Sequence, residues 1–190
     1  MISKLEQQIL STLLNHLDKR LSIHQISQIL KKSYPNIYNK TNQLIDLKLL
    51  KKEKIGKATV CRLNIQNDLL RNILSHIDIL KRDKKAEEDP ATAEILKVLR
   101  TLPNYLPIFT AFSFDSYIGI CVHNTEIRDN LNQHLQKHLS FHDSSKVIVF
   151  DKKALIKYIV PEIIAQKIIL TNPENYYRLL SEIKSESLFD

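Results

Sequence analysis

Glycine is scarce in this sequence, because Gly56 and Gly119 are the only two glycines among 190 residues. Loops that bring backbone amides close to a ligand usually need glycine, which has no Cβ atom. The sequence accordingly lacks a glycine-rich phosphate-binding loop, and none of its serines or cysteines stands in a motif that supplies a catalytic base. We therefore expect no catalytic residues and no bound cofactor.

Cysteine and long apolar runs are also rare. Cys61 and Cys121 are isolated on predicted strands, which favours buried thiols over a disulfide or a metal site. No apolar run approaches the length of a membrane span. The first fourteen residues have the pattern of an amphipathic helix and not of a signal peptide. These features predict a cytoplasmic protein that does not bind membranes.

Positive charge is concentrated at one end of the chain. Residues 1–67 contain twelve lysines and arginines against four acidic residues, a net charge of +8, whereas residues 68–190 contain sixteen and seventeen, a net charge of −1. A lysine-rich composition alone does not produce this asymmetry, but binding to a nucleic-acid duplex favours it through counterion release. The charge pattern predicts binding to double-stranded DNA; structured RNA stays open as an alternative, because a basic surface attracts either backbone.

Two short helices joined by a compact turn are predicted within the basic region. Ser22 can cap the first helix, whose apolar residues recur at helical spacing at Ile23, Ile26, Ile29 and Leu30. The second helix follows a possible cap at Ser33, has Pro35 in its first turn and spans about residues 34–47.

The second of these helices has an apolar side and a polar side. The residues predicted to face the core are Ile37, Thr41, Leu44, Ile45 and Leu47. A major groove admits one helix, in which amide side chains can pair with adenine while tyrosine and lysine hold phosphates. The predicted DNA contacts of this helix and its preceding turn are Ser33, Tyr34, Asn36, Tyr38, Asn39, Lys40 and Gln43.

A lysine-rich hairpin follows over residues 51–64. Its turn lies at residues 55–57, where Gly56 can adopt a positive backbone φ. Such a hairpin beside a recognition helix would bring its basic side chains close to DNA phosphates. The predicted contacts are Lys51, Lys54, Lys57 and Arg62.

The stretch of residues 22–64, in which "LKLLKKEKIGKATVCRLN" follows the two helices, resembles the winged helix-turn-helix domains of small prokaryotic transcriptional regulators, particularly archaeal ones of the MarR and ArsR kind. The resemblance covers about a third of the chain. It implies sequence-specific binding to double-stranded DNA, with the helix of residues 34–47 in the major groove and the hairpin as a wing on the backbone. The alternative is a winged helix used only for protein contacts.

A further helix is predicted at residues 68–85, with an apolar stripe of Leu70, Ile73, Leu74, Ile77 and Leu80. In small regulators such a helix often pairs with its twin, so we expect a homodimer; the alternative is that the stripe packs on the chain's own C-terminal domain. The acidic run before Pro90 marks a boundary. The predicted domains are residues 1–67, a linker helix at 68–89, and residues 90–190.

The C-terminal domain is predicted to be a small α/β domain, which makes the whole chain α+β. Its predicted strands are residues 107–112, 117–123 and 146–150, and its predicted helices are residues 91–102, 125–139, 152–159, 161–167 and 175–184. We expect this domain to dimerise, to bind a protein partner or to sense a ligand.

The layout and the tail "VIVFDKKALIKYIVPEIIAQKIILTNPENYYRLL" resemble the minimal nucleotidyltransferase domain. That family's Gly-Ser would fall on Phe112 and Ser113, and its Asp-x-Asp on Asp115, Ser116 and Tyr117. One carboxylate is therefore missing from the set that would hold two magnesium ions. Asp151 could approach Asp115, although an aspartate there more often caps the next helix. The resemblance implies a degenerate domain without activity.

Three alternatives remain open. His134, His138 and His142 recur every four residues and could share a metal ion, although an exposed polar helix face is the commoner explanation and we expect no metal site. The chain could be a divergent nucleotidyltransferase. It could also be a non-catalytic protein-interaction partner in a system of the toxin–antitoxin kind.

Overall fold

The computed structural model describes residues 2–17, 19–56, 58–102, 106–114, 117–138, 147–158 and 167–182. Within these ranges the helices are α1 (Lys4–Leu14), α2 (Ile23–Leu30), α3 (Tyr34–Asp46), α4 (Asp68–Glu88), α5 (Pro90–Arg100), α6 (Thr125–His138), α7 (Lys152–Tyr158) and α8 (Pro173–Glu182). The strands are β1 (Leu21–Ser22), β2 (Leu50–Ile55), β3 (Ala58–Leu63), β4 (Ile108–Phe114), β5 (Tyr117–Val122), β6 (Val147–Asp151) and β7 (Ile168–Thr171).

The contacts divide the chain into two compact units. Among the described residues, the N-terminal unit contains residues up to Leu74 together with 180–182, and the C-terminal unit contains residues 75–158 and 167–179. The division falls inside α4, whereas the sequence placed the boundaries at its two ends. The mixture of helices and two sheets confirms the predicted α+β class.

The N-terminal unit is a winged helix-turn-helix. Its first two helices begin with capping boxes, in which Ser3 pairs with Glu6 and Ser22 pairs with Gln25. Three helices precede an antiparallel hairpin of β2 and β3. The short strand β1 pairs with β3, so the sheet has the order β1-β3-β2. The two-residue strand β1 was not predicted, because its pairing with Val60 and Cys61 depends on residues almost forty positions later.

Both helices of the helix-turn-helix end on a lysine with left-handed backbone geometry. Lys31 follows α2 with a φ of 51°, and Lys48 follows α3 with a φ of 58°. Glycine is the usual residue at such helix ends, and other side chains occupy them at a cost of about 1 kcal/mol. The scarcity of glycine therefore extends to positions that ordinarily use it.

The core of the N-terminal unit is made of aliphatic side chains from all its elements. Its buried members include Ile9, Leu10, Leu13, Leu14, Leu21, Ile23, Ile26, Ile37, Leu44, Leu49, Leu50, Val60, Cys61, Leu70 and Leu74. One predicted core position is wrong, because Leu47 is 53% exposed. Ile29, one of the apolar residues at helical spacing in α2, is also 44% exposed. Leu47 lies just past the end of α3, where the helical periodicity that predicted its burial no longer applies.

Helix α4 buries only part of its predicted stripe. Leu70, Leu74 and Ile77 are buried within the single chain, whereas Leu80 is 51% exposed. The buried residues are therefore not available as the surface through which α4 would pair with a second copy.

The C-terminal unit contains a four-stranded sheet in the order β6-β5-β4-β7. Strands β5 and β6 are parallel, and the other neighbouring pairs are antiparallel. Side chains alternate between the two faces of a strand. Ile118 and Ile120 join Leu131 and Leu135 of α6 in one hydrophobic cluster, while Phe112 contacts the rings of Phe150 and Tyr176.

Strand β7 was missed by the sequence analysis. It has four residues, and among the described strands it pairs only with β4, where Ala111 lies opposite Thr171. The predicted helix at residues 161–167 falls mostly outside the described residues, and Lys167 itself directly precedes β7. No local pattern marks so short an edge strand, because its partner lies about sixty residues earlier in the chain.

The two cysteines are buried free thiols, as predicted. Burial raises the pKa of Cys61 to about 11 and that of Cys121 to about 12. In the part of the chain that is described, none of the helices is both long enough and apolar enough to cross a membrane.

Candidate nucleic-acid interface

Helix α3 presents a polar surface to solvent. Asn36, Tyr38, Asn39 and Gln43 are exposed along it. The opposite side anchors the helix, because the side chains of Ile37, Thr41 and Leu44 are completely buried. The sequence pattern thus separated the core face of α3 from its exposed face correctly at these positions.

The start of α3 is set by the turn that precedes it. Ser33 occupies the N-cap position and Pro35 lies in the first turn, as predicted, but the Ser33 side chain makes no capping hydrogen bond. Ser33 and Tyr34 are both exposed. Their side chains therefore face solvent at the end of α3 that carries the positive pole of the helix dipole.

Two of the predicted contacts of α3, Lys40 and Gln43, contact each other, and Lys40 also has a partner on α1. Its Nζ atom lies 2.8 Å from Oε1 of Gln43 and 3.4 Å from Oε1 of Glu6. Burial alone would raise the pKa of Glu6, but hydrogen bonds from Ser3 and the charge of Lys40 together hold that pKa below its usual value. Lys40 thus connects α3 to α1.

The hairpin has the predicted shape. Strand β2 ends at Ile55, β3 begins at Ala58, and Gly56 has a φ of 59°. Lys51, Lys52 and Lys54 are exposed on β2. Lys57, another predicted contact, lies outside the described residues.

Arg62 was predicted to contact DNA, and it is near the one acidic residue of the hairpin. Its guanidinium lies 3.7 Å from Glu53, which is also 3.8 Å from Arg20. Because Glu53 is half exposed, each of these ion pairs contributes little to stability. The local effect is that the carboxylate lies between two arginines.

Sequence reasoning missed three basic residues beside α3. His24 lies in the first turn of α2, and its ring centroid is 6.2 Å from that of Tyr34. Lys31 and Lys32 are exposed in the turn between the two helices. Lys31 and Lys32 lie immediately before the predicted recognition helix, and this position was the signal that could have identified them.

The nucleotidyltransferase-like positions of the C-terminal unit do not form a carboxylate site among the described residues. Asp115 and Ser116 lie outside those residues. Asp151 pairs with Val122, at the end of β5 about 16 Å away from Tyr117. The expectation that Asp151 could approach Asp115 stays a prediction, because Asp115 lies outside the described residues. Asp151 accepts a hydrogen bond from the backbone N–H of Ala154 at 2.7 Å, as a capping residue does.

The histidines of α6 were the other candidate for chemistry. Leu131 and Leu135 are buried, while His134 is partly exposed and lines an open depression with Glu94, Lys97 and Thr101 of the α5 segment. His142 lies outside the described residues. Within the described ranges no three histidine, cysteine or acidic side chains are placed to hold a metal ion.

Comparisons with known proteins give limited information. No protein-family model and no curated protein matches the chain. Similar solved structures include MepR, a transcription regulator of the Staphylococcus aureus multidrug efflux pump MepA, and a mutant of the same S. aureus protein. Each is 19% identical, with a TM-score of 0.39, and the similarity covers 54% of this chain and 81% of that one.

Proposed function

We propose that the chain is a sequence-specific regulator of transcription that binds double-stranded DNA, with α3 in the major groove and the β2–β3 hairpin as a wing on the backbone. The observation that carries this proposal is the exposed side of α3, where amide side chains lie within one helix-turn-helix beside a lysine-rich hairpin. The proposed contacts are Ser33, Tyr34, Asn36, Tyr38, Asn39, Lys40, Gln43, Lys51, Lys54, Lys57 and Arg62. Of these, Lys40 and Arg62 also form ion pairs within the chain, with Glu6 and Glu53.

The exposed amides suit base recognition. Asparagine and glutamine can each accept one hydrogen bond from adenine N6 and donate another to N7 in the major groove. Asn36, Asn39 and Gln43 recur at spacings of three and four residues, so they lie along one side of α3. The only acidic residue of the helix is Asp46, at its last position. A negatively charged groove therefore meets no carboxylate along the first three turns.

The wing suits phosphate binding. Three exposed lysines follow one another within four residues of β2, and Glu53 among them is already near Arg20 and Arg62. Lysine holds phosphate as a point charge and displaces condensed counterions when it binds. The wing would therefore contribute affinity for any sequence, whereas α3 would contribute the discrimination between sequences.

The C-terminal unit is proposed to act in dimerisation, in binding a protein partner or in sensing a ligand, and not as an enzyme. The support is that Phe112 is a buried phenylalanine where the transferase family has glycine, and that Asp151 lies at the far end of β5 from Tyr117. A homodimer would place two copies of α3 about one DNA turn apart.

The salt dependence of binding tests the wing. Replacing Lys51 and Lys54 together by alanine should weaken binding to every duplex and reduce the slope of log K against log salt by about two, because each lost phosphate contact contributes about 0.9. The measurement is fluorescence anisotropy on a duplex of about 30 base pairs between about 50 and 250 mM salt.

A matched variant controls for the change in total charge. Lys84→Ala with Lys97→Ala removes the same charge from exposed positions on α4 and α5. This control should leave the slope unchanged. If both double variants reduce the slope equally, or if neither does, the proposed wing contact is wrong.

A further inference from the structure

Three aromatic side chains form an exposed row beside the amides of α3. The ring centroids of Tyr34 and Tyr38 are 5.9 Å apart, and that of His24 lies 6.2 Å from Tyr34. Tyr34 is 46% exposed and Tyr38 is 44% exposed. We call these three residues the aromatic strip. The two tyrosine rings, left in solvent beside one another, indicate a surface that contacts something else.

The aromatic strip has a defined position relative to the amides. Successive residues of a helix are about 100° apart, so the ring of Tyr38 lies on the flank of α3 between buried Ile37 and exposed Asn39. Tyr34 lies one turn earlier on the same flank, towards α2, which carries His24. A base pair next to the one bound by Asn39 would therefore meet an aromatic surface.

The major groove offers one apolar group to such a surface. Each base presents hydrogen-bonding atoms there, and thymine alone also presents a methyl group, at C5. A tyrosine ring can bury this methyl group while its hydroxyl stays in solvent or near a phosphate, because the ring has one polar end. The amides on the neighbouring side of α3 suit adenine, the partner of thymine.

We propose, on the basis of the DNA-binding function proposed above, that the aromatic strip selects thymine methyl groups and that the chain therefore prefers A·T-rich duplexes. The juxtaposition of Tyr34 and Tyr38 with Asn36 and Asn39 carries this inference. Tyr38, which directly precedes Asn39, is the principal methyl contact.

The test removes the methyl group without changing any hydrogen bond. Three duplexes of equal length are compared: alternating A·T, the same duplex with deoxyuridine in place of every thymine, and alternating G·C. We expect the A·T duplex to bind most tightly and the deoxyuridine duplex about fourfold more weakly for each buried methyl group, as the burial of one methylene predicts. The G·C duplex should bind no better than the deoxyuridine duplex.

Two variants assign the effect to the ring. Tyr38→Phe keeps the ring and should keep the discrimination between thymine and deoxyuridine, whereas Tyr38→Ser should lose it. Because Tyr38 is half exposed, neither change should unfold the chain, and circular dichroism checks this. As a control, Lys54→Ala should weaken binding to the A·T and deoxyuridine duplexes by the same factor.

The outcomes separate this inference from the function on which it rests. If the chain binds none of the duplexes in a salt-sensitive way, the DNA-binding proposal itself fails. If it binds the A·T and deoxyuridine duplexes equally, DNA binding stands and methyl recognition is overturned. Equal loss of discrimination in Tyr38→Phe and Tyr38→Ser would also overturn it, because the hydroxyl and not the ring would then be responsible.

Discussion

At the scale of single residues, Lys167 of the C-terminal unit is a buried lysine that lies beside two tyrosine rings. The residue is 7% exposed, and its Nζ atom lies 4.5 Å from the ring centroid of Tyr176 and 5.6 Å from that of Tyr177. The Tyr177 hydroxyl donates a hydrogen bond of 2.5 Å to buried Asp78. Burial lowers the pKa of Lys167 to about 8, although Asp78 opposes the shift, while Lys81 adds to it.

This environment predicts a pH-dependent contribution to stability. The pKa of Lys167 is lower in the folded chain than in the unfolded chain, so the folded state releases the proton first as the pH rises. The free energy of unfolding contributed by Lys167 should therefore be lowest below about pH 8 and should rise between about pH 8 and pH 10. Above that window the raised pKa values of Tyr176 and Tyr177 act in the opposite direction.

The measurement compares urea unfolding of the natural chain with that of Lys167→Met at about pH 7.5 and about pH 9.5. The contribution of the buried thiols of Cys61 and Cys121 to the free energy of unfolding falls over the same pH range, because their pKa values are raised in the folded chain. Both proteins contain these thiols, so this contribution cancels in the difference. Between these two pH values, the free energy of unfolding of the natural chain should rise by about 2 kcal/mol relative to that of the variant. A difference that does not change with pH would mean that Lys167 does not titrate in this window.

The sequence did not predict this cluster. A lysine before an apolar run ordinarily indicates a surface residue, because isolated buried charges are unstable. Its burial follows from the arrangement of α4, β7 and α8, which brings Asp78 beside a tyrosine ninety-nine residues later. No local pattern contains that information.

At the scale of elements, the helix starts and the hairpin were predictable because their signals are local. Capping by Ser22 involves Gln25, three residues away, and the turn at Gly56 needs only its own backbone conformation. Strand β7 was not predictable, because its pairing with β4 is remote in sequence.

For the candidate interface, the exposed face of α3 could be predicted from its helical periodicity. The partner of Lys40 on α1 and the ring contact of His24 with Tyr34 could not, because these contacts depend on how the helices pack.

Strand β5 contains a glycine that the packing of the sheet requires. A Cβ atom built on Gly119 would lie 2.7 Å from two ring atoms of Phe112 and 3.0 Å from one of Phe150. Phe112 is 1% exposed, so its ring has little space into which it can move. Gly119→Ala should therefore reduce the free energy of unfolding by about 1–3 kcal/mol.

Urea unfolding checks this expectation, and a double variant identifies its cause. Phe112→Leu shortens the side chain that the methyl group added by Gly119→Ala would touch, so the two changes together should cost less than the sum of the single costs. Strict additivity would show that the destabilisation does not arise from contact with the Phe112 ring.

At the scale of the whole molecule, the positive charge lies in the part of the chain that is proposed to bind DNA. Residues 1–67 carry a net charge of +8 and the rest of the chain carries −1. An interface with this charge would attract any duplex, and the proposed function assigns the discrimination between sequences to α3 and its aromatic strip. The account therefore predicts weak, strongly salt-sensitive binding to arbitrary DNA and tighter binding to a defined site.

The most direct test of this central claim is selection of bound fragments from sheared genomic DNA of the source organism by the whole 190-residue chain at near-physiological salt, followed by sequencing. The account predicts enrichment of a short A·T-rich site, with two halves related by a two-fold axis and separated by about one DNA turn. Retention of fragments without a shared site, or no retention at all, would contradict sequence-specific regulation by this winged helix.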